Sequence, residues 1–131
     1  MADYFTHFSC VLDVRTPENA ARALDLYNRL SEENASEGFD LSIVPEHGGT
    51  CLWMRDDGTG DPEHAIQFVK RCAAAFALTG RWGFQYANTC SRPRVDAFGG
   101  GAHVLDLTTG ETVAWTYTGE WLADTLAGGQ S

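Results

Sequence analysis

No apolar run in this chain of 131 residues approaches the roughly 18 residues that a membrane-crossing helix needs. The start, Met1-Ala2-Asp3-Tyr4, lacks the basic region and apolar stretch of a secretory leader. These absences point to the cytoplasm and away from a membrane partner. Positive charge is scarce: 9 Lys and Arg stand against 18 Asp and Glu, a net charge of −9. A protein that grips phosphates directly normally carries a basic face, so direct nucleic-acid binding is not expected. Cysteine is sparse and unpatterned. Cys10, Cys51, Cys72 and Cys90 include no Cys-x-x-Cys pair, which argues against zinc knuckles and against a dense disulfide framework. His7, His47, His64 and His103 include no i,i+4 pair. A catalytic zinc needs three converging ligands, so neither metal nor cofactor is expected.

What is present suits one folded unit. Hydrophobic content is 44%, ordinary for a globular chain, and the length fits one domain with one core. That domain is expected over 1–127, with a frayed tail at 128–131. Charge is unevenly spread. Residues 64–95 hold Lys70, Arg71, Arg81, Arg92 and Arg94 and no acid, whereas 32–63 hold nine acids against Arg55 alone. The acidic stretch would suit a partner with a basic surface, such as a nucleic-acid-binding protein.

Periodicity places the elements. Phe8, Cys10, Leu12 and Val14 alternate as a strand over Tyr4–Val14. Thr16-Pro17 opens a helix with a stripe of Ala20, Ala23, Leu24, Tyr27 and Leu30. Leu41–Val44 and Thr50–Arg55 read as a hairpin. Asp61-Pro62 repeats the helix start, with a stripe through Ala65, Phe68, Val69, Cys72 and Phe76 and a left-handed stop at Gly80. Arg81–Ala87 is a strand, and Ala102–Leu107 with Thr112–Thr118 is a closing hairpin. Trp121, Leu122 and Leu126 suggest a short last helix. The order β-α-β-β-α-β-β-β predicts an α+β fold. We expect a mostly antiparallel sheet of ferredoxin-like order plus a C-terminal hairpin, with two helices on one face.

The stretch from Cys90 to Ala102, Cys-Ser-Arg-Pro-Arg-Val-Asp-Ala-Phe-Gly-Gly-Gly-Ala, concentrates the unusual chemistry. Arg92 and Arg94 flank a proline and could grip an acidic group, or pair internally with Asp96. Phe98 adds an apolar contact. Gly99-Gly100-Gly101 could cradle a phosphate, but true phosphate loops feed a helix, and a strand is expected here. A bend needing glycine is the simpler reading. Cys90 and His103, oriented by Asp96, form a conceivable nucleophile and base without any flanking signature. Asp56 and Asp57 begin an acidic turn that lacks the twelfth-position glutamate of a calcium loop. The aromatic rows Trp82/Phe84/Tyr86 and Val113/Trp115/Tyr117 read mostly as core or cross-strand pairs. If one sheet face lacks a helical cover, a row becomes a binding surface.

Tyr4-Phe5-Thr6-His7-Phe8-Ser9, Leu52-Trp53 and the Cys90–Ala102 string resemble a group of small acidic bacterial proteins carried on phages, plasmids and other mobile elements. The resemblance spans most of the chain and brings no activity residue by residue. It implies action by binding, including inhibition of host defence in the manner of anti-CRISPR proteins. The leading expectation is therefore a non-enzymatic protein–protein interaction module. Its partner would be a host or self protein with a basic surface, and its contacts Asp56, Asp57, Arg92, Arg94, Asp96 and Phe98. The alternative is a domain, or an enzyme, that binds a small anion or nucleotide at the 90–102 loop.

Overall fold

The computed structural model describes residues 4–34, 39–56, 61–94 and 97–128. It is an α+β fold with an open antiparallel sheet of six strands and three helices. The strands are β1 (Tyr4–Asp13), β2 (Phe39–Val44), β3 (Cys51–Asp56), β4 (Arg81–Cys90), β5 (Gly99–Asp106) and β6 (Thr112–Tyr117). The helices are α1 (Pro17–Asn34), α2 (Pro62–Phe76) and α3 (Thr118–Leu126). Strand order across the sheet is β2-β3-β1-β4-β5-β6.

Both long helices start where local chemistry supplies a cap. The Asn19 amide donates to Thr16 Oγ1 at 3.0 Å, and the Glu63 amide donates to Asp61 Oδ1 at 3.0 Å. Each bond satisfies an amide that the first turn leaves without a partner, and proline follows the cap where its missing N–H costs nothing. The end of α2 differs from expectation. Its left-handed cap is Ala77, with φ of 53°, and the Leu78 amide closes back onto the Ala73 carbonyl at 3.0 Å. Gly80 also has positive φ but lies in the turn beyond. A left-handed alanine is strained relative to glycine, and the burial of Leu78 immediately after it supplies the offsetting packing.

The core lies between the two long helices and one sheet face. Alternation on β1 places Phe8 and Leu12 inward, where they join Leu52 and Met54 of β3 and Ala65, Phe68, Val69 and Cys72 of α2. Phe39 is a hub: its ring centroid lies 5.3 Å from Tyr27 and 5.7 Å from Phe68. The Tyr27 hydroxyl donates to the Phe39 carbonyl, so the one polar tip near this cluster is satisfied. Trp82 and Phe84 extend the aromatic layer along β4, with centroids 5.1 Å apart.

The 90–102 segment is shorter as a loop than its sequence suggests. β4 continues to Cys90 and β5 begins at Gly99, so all three glycines are strand residues. Close approach explains them. A Cβ on Gly100 would stand 2.4 Å from the Tyr86 carbonyl oxygen, and one on Gly101 2.4 Å from that of Thr116. Extended glycines paired on β4 and β6 spend their main chain on the sheet ladder rather than on an anion.

Candidate functional site

Ladder register sorts the expected site residues. Phe8, Tyr86, Gly101 and Tyr117 stand opposite one another across four strands, as do Phe84, His103 and Trp115 across three. These rows share the helix-covered face, because directly opposed residues point the same way. His7, one residue from Phe8, points to the other face, so it cannot join His103 in a metal site. Cys90 lies six residues along β4 from the Phe84 that pairs with His103. At about 3.4 Å per residue that is roughly 20 Å, too far for a nucleophile and its base. No cluster of three metal-ligating side chains occurs among the described residues. Burial pushes the Cys10 and Cys72 thiols up to about 12, which makes both inert.

The acidic turn is tied into the fold at its first residue. Asp56 Oδ1 accepts from the Phe8 amide at 3.0 Å, and Oδ2 lies 3.1 Å from His7 Nδ1. This carboxylate locks the end of β3 to β1. Asp57 and Asp96 lie outside the described residues, as does the tail at 129–131. Arg92 and Arg94 are exposed in the bend after β4, where the Arg94 amide donates to the Arg92 carbonyl at 2.8 Å. Phe98 is half exposed.

Two features stand nearby, the first resting on the aromatic row Val113/Trp115/Tyr117 and the second not foreseen from the sequence. The first is the terminal strand and helix. β6 has no buried residue, and neither has α3. Trp115 is 61% exposed and Leu126 78%, and Val113, Trp121 and Leu122 are exposed with them. Among the described residues β6 ends the sheet, and its outer edge has no strand neighbour there. Natural edge strands are commonly protected by lysine, proline or a covering element. The sequence Thr-Val-Ala-Trp-Thr-Tyr offers neither lysine nor proline. The sequence signal was a missing charge: no Lys or Arg follows Arg94, while Asp96, Asp106, Glu111, Glu120 and Asp124 do.

The second is a cleft of about 620 Å³ between the start of α2 and the strands β4, β5 and β6. Asp61, Glu63 and Ile66 line it from the helix, and Tyr86, His103 and Trp115 from the sheet. It exists because α2 packs on β1 while the sheet continues through β4 to β5 and β6. The aromatic row on β4 thus runs from buried Trp82 and Phe84 to half-buried Tyr86 at the cleft. His103 Nε2 lies 2.9 Å from Thr112 Oγ1. Burial holds the His103 imidazole below its ordinary pKa, with Lys70 reinforcing and Glu63 opposing. The ring is therefore mainly neutral at pH 7. Burial also raises the Tyr86 phenol, with Tyr117 and Glu120 adding to it.

No family model matches this chain, and comparison with curated proteins and with solved structures finds no match either.

Proposed function

We propose that this chain is a non-enzymatic protein–protein interaction module whose docking surface is β6 with α3. One observation carries the reading: the last strand and helix present Val113, Trp115, Trp121, Leu122 and Leu126 to solvent and bury nothing. Large exposed aromatic and aliphatic side chains on ordered elements mark interaction sites, and tryptophan is the residue type most enriched in binding hot spots.

Charge defines the occupant. Glu111, Glu120 and Asp124 surround these apolar residues in sequence, and the segment has no base. The complementary surface is an apolar groove rimmed by Lys and Arg on a different protein. Two copies meeting arm to arm would set carboxylates against carboxylates. A nucleic-acid-binding protein of the host meets the requirement, in keeping with the anti-defence role implied by the resemblance. The setting is the cytoplasm, where the four free thiols stay reduced. The order β2-β3-β1-β4 supports a ferredoxin-like sheet under two helices, to which β5 and β6 add the docking hairpin. Among the described residues no helix is long and apolar enough to cross a membrane. The glycines of the 90–102 stretch lie in a strand and the adjoining cleft is acidic, which favours this reading over an anion or nucleotide site.

Photo-crosslinking tests it. A crosslinking residue replaces Leu122 in one variant and Val11, on the open back face, in another. Each is exposed to bacterial lysate and its adducts are identified. We expect one basic protein captured from position 122, lost when Leu126→Asp is added, and nothing specific from position 11. Capture from position 11 alone, or crosslinking only to a second copy of the chain, contradicts the proposal.

A further inference from the structure

The cleft beside α2 combines three properties that point to one ligand chemistry. Tyr86 and Trp115 give it aromatic walls, Ile66 an apolar floor, and Asp61 and Glu63 two carboxylates at the mouth. No lysine or arginine lines it. Its volume of about 620 Å³ falls within the range of ordinary ligand sites. An anion would meet two carboxylates there. A hard metal ion would meet aromatic rings in place of the six or more oxygens it prefers. A cationic group on an apolar stem satisfies all three properties, since the face of an aromatic ring attracts cations and the carboxylates supply counter-charge. The Gln67 side chain donates to Glu63 Oε1 at 3.3 Å; Asp61 Oδ1 caps α2 and its Oδ2 lies 3.5 Å from His64 Nε2. A carboxylate has about four acceptor positions, so these local bonds leave capacity for a ligand.

We infer that this cleft receives a lysine or arginine side chain of the protein that docks on β6 and α3. The inference rests on the interaction reading above and names its anchor. Trp115 belongs to both surfaces: it is exposed on the docking strand and it walls the cleft. A partner lying along β6 therefore passes over the cleft mouth, and the basic rim expected of that partner supplies the cation.

Isotope-edited NMR on the full chain reads the cleft without the partner. The probes are N-acetyl-arginine amide and N-acetyl-lysine amide, with N-acetyl-glutamine amide as the uncharged control. We expect saturable shifts of the Trp115 indole N–H and the His103 ring with the two cations, in the millimolar range, and none with the control. Trp115→Ala should weaken binding about 3- to 30-fold, and Trp115→Phe should retain most of it. Glu63→Gln should weaken it about 2- to 5-fold and flatten its salt dependence. Equal response to the uncharged probe, or shifts that do not saturate, overturns the inference. Leu122→Asp with Leu126→Asp separates the two readings, because neither residue lines the cleft. Probe saturation without any capture through α3 assigns the cation to a free amine and overturns the partner half. Capture through α3 without probe saturation overturns the cleft half.

Discussion

The first four strands and the last two strands with α3 are held together by different means. β1 to β4 are held by side chains: Phe39, Phe68, Leu12, Leu52 and Met54 are completely buried between sheet and helices. Among the described residues the C-terminal part joins that core through Leu105 and Leu107. Beyond them it is held by main chain. Gly83, Gly100 and Gly101 let neighbouring strands approach so closely that an added Cβ would fall within 3.0 Å of a carbonyl oxygen. The Thr118 hydroxyl donates to the Gly100 carbonyl at 3.0 Å, which ties the start of α3 back to β5. A backbone ladder supplies geometry without using apolar side chains. It leaves Trp115, Trp121 and Leu126 ordered yet uncommitted, and such side chains are what a partner can bury.

The comparison is sharpened first in the core. Phe68→Ala should cost about 3–5 kcal/mol by lost burial and cavity formation, read as a fall in the midpoint of denaturant unfolding. Next comes the main-chain junction. Gly100→Ala must push the Tyr86 carbonyl aside and should cost about 1–3 kcal/mol. The same change at the half-buried turn residue Gly110 meets no atom within 4 Å and carries only the strain of its positive φ. Equal costs at both sites would break the claim that close approach holds the extension.

A smaller effect is expected from pH. His103 is held below its ordinary value of 6.5 by burial, so the unfolded chain takes up this proton before the folded chain does. Stability should therefore fall as pH drops through about 6.5 and level off below the folded pKa. Melting temperature followed from pH 7.5 to 5 should show this component in the parent and lack it in His103→Gln. The smallest effect is expected at the docking surface. Leu126→Asp should change stability by no more than about 0.5 kcal/mol, while abolishing partner capture. A large loss of stability would mean that Leu126 belongs to the fold instead.

Sequence was most informative where a local signal decided the structure. Thr16-Pro17 and Asp61-Pro62 marked both helix starts, and alternation from Phe8 to Leu12 gave the inward face of β1. It failed where the answer depended on what lies above a residue. Trp82 and Trp115 sit in strands of the same periodicity, so alternation reads both rows mostly as core or cross-strand pairs and does not say which of them a missing helical cover would expose. Only the reach of α2 across the sheet leaves it in the open. Glycine misled in another way. A glycine run resembles a loop, because periodicity carries no information where side chains are missing, yet Gly99–Gly101 are extended strand. The cleft was illegible because its residues come from β1, α2, β4, β5 and β6, separated by up to 109 positions between Thr6 and Trp115.

Native-state hydrogen exchange tests the central claim most directly, that the C-terminal strand and helix are ordered without being part of the core. Amides of β1, β4 and α2 should exchange only through global unfolding. Those of β6 and α3 should open at a clearly lower free energy, as one separate unit. Protection of β6 and α3 equal to that of β1 would contradict the account, because it would mean that this surface already has its stabilising contacts within the chain.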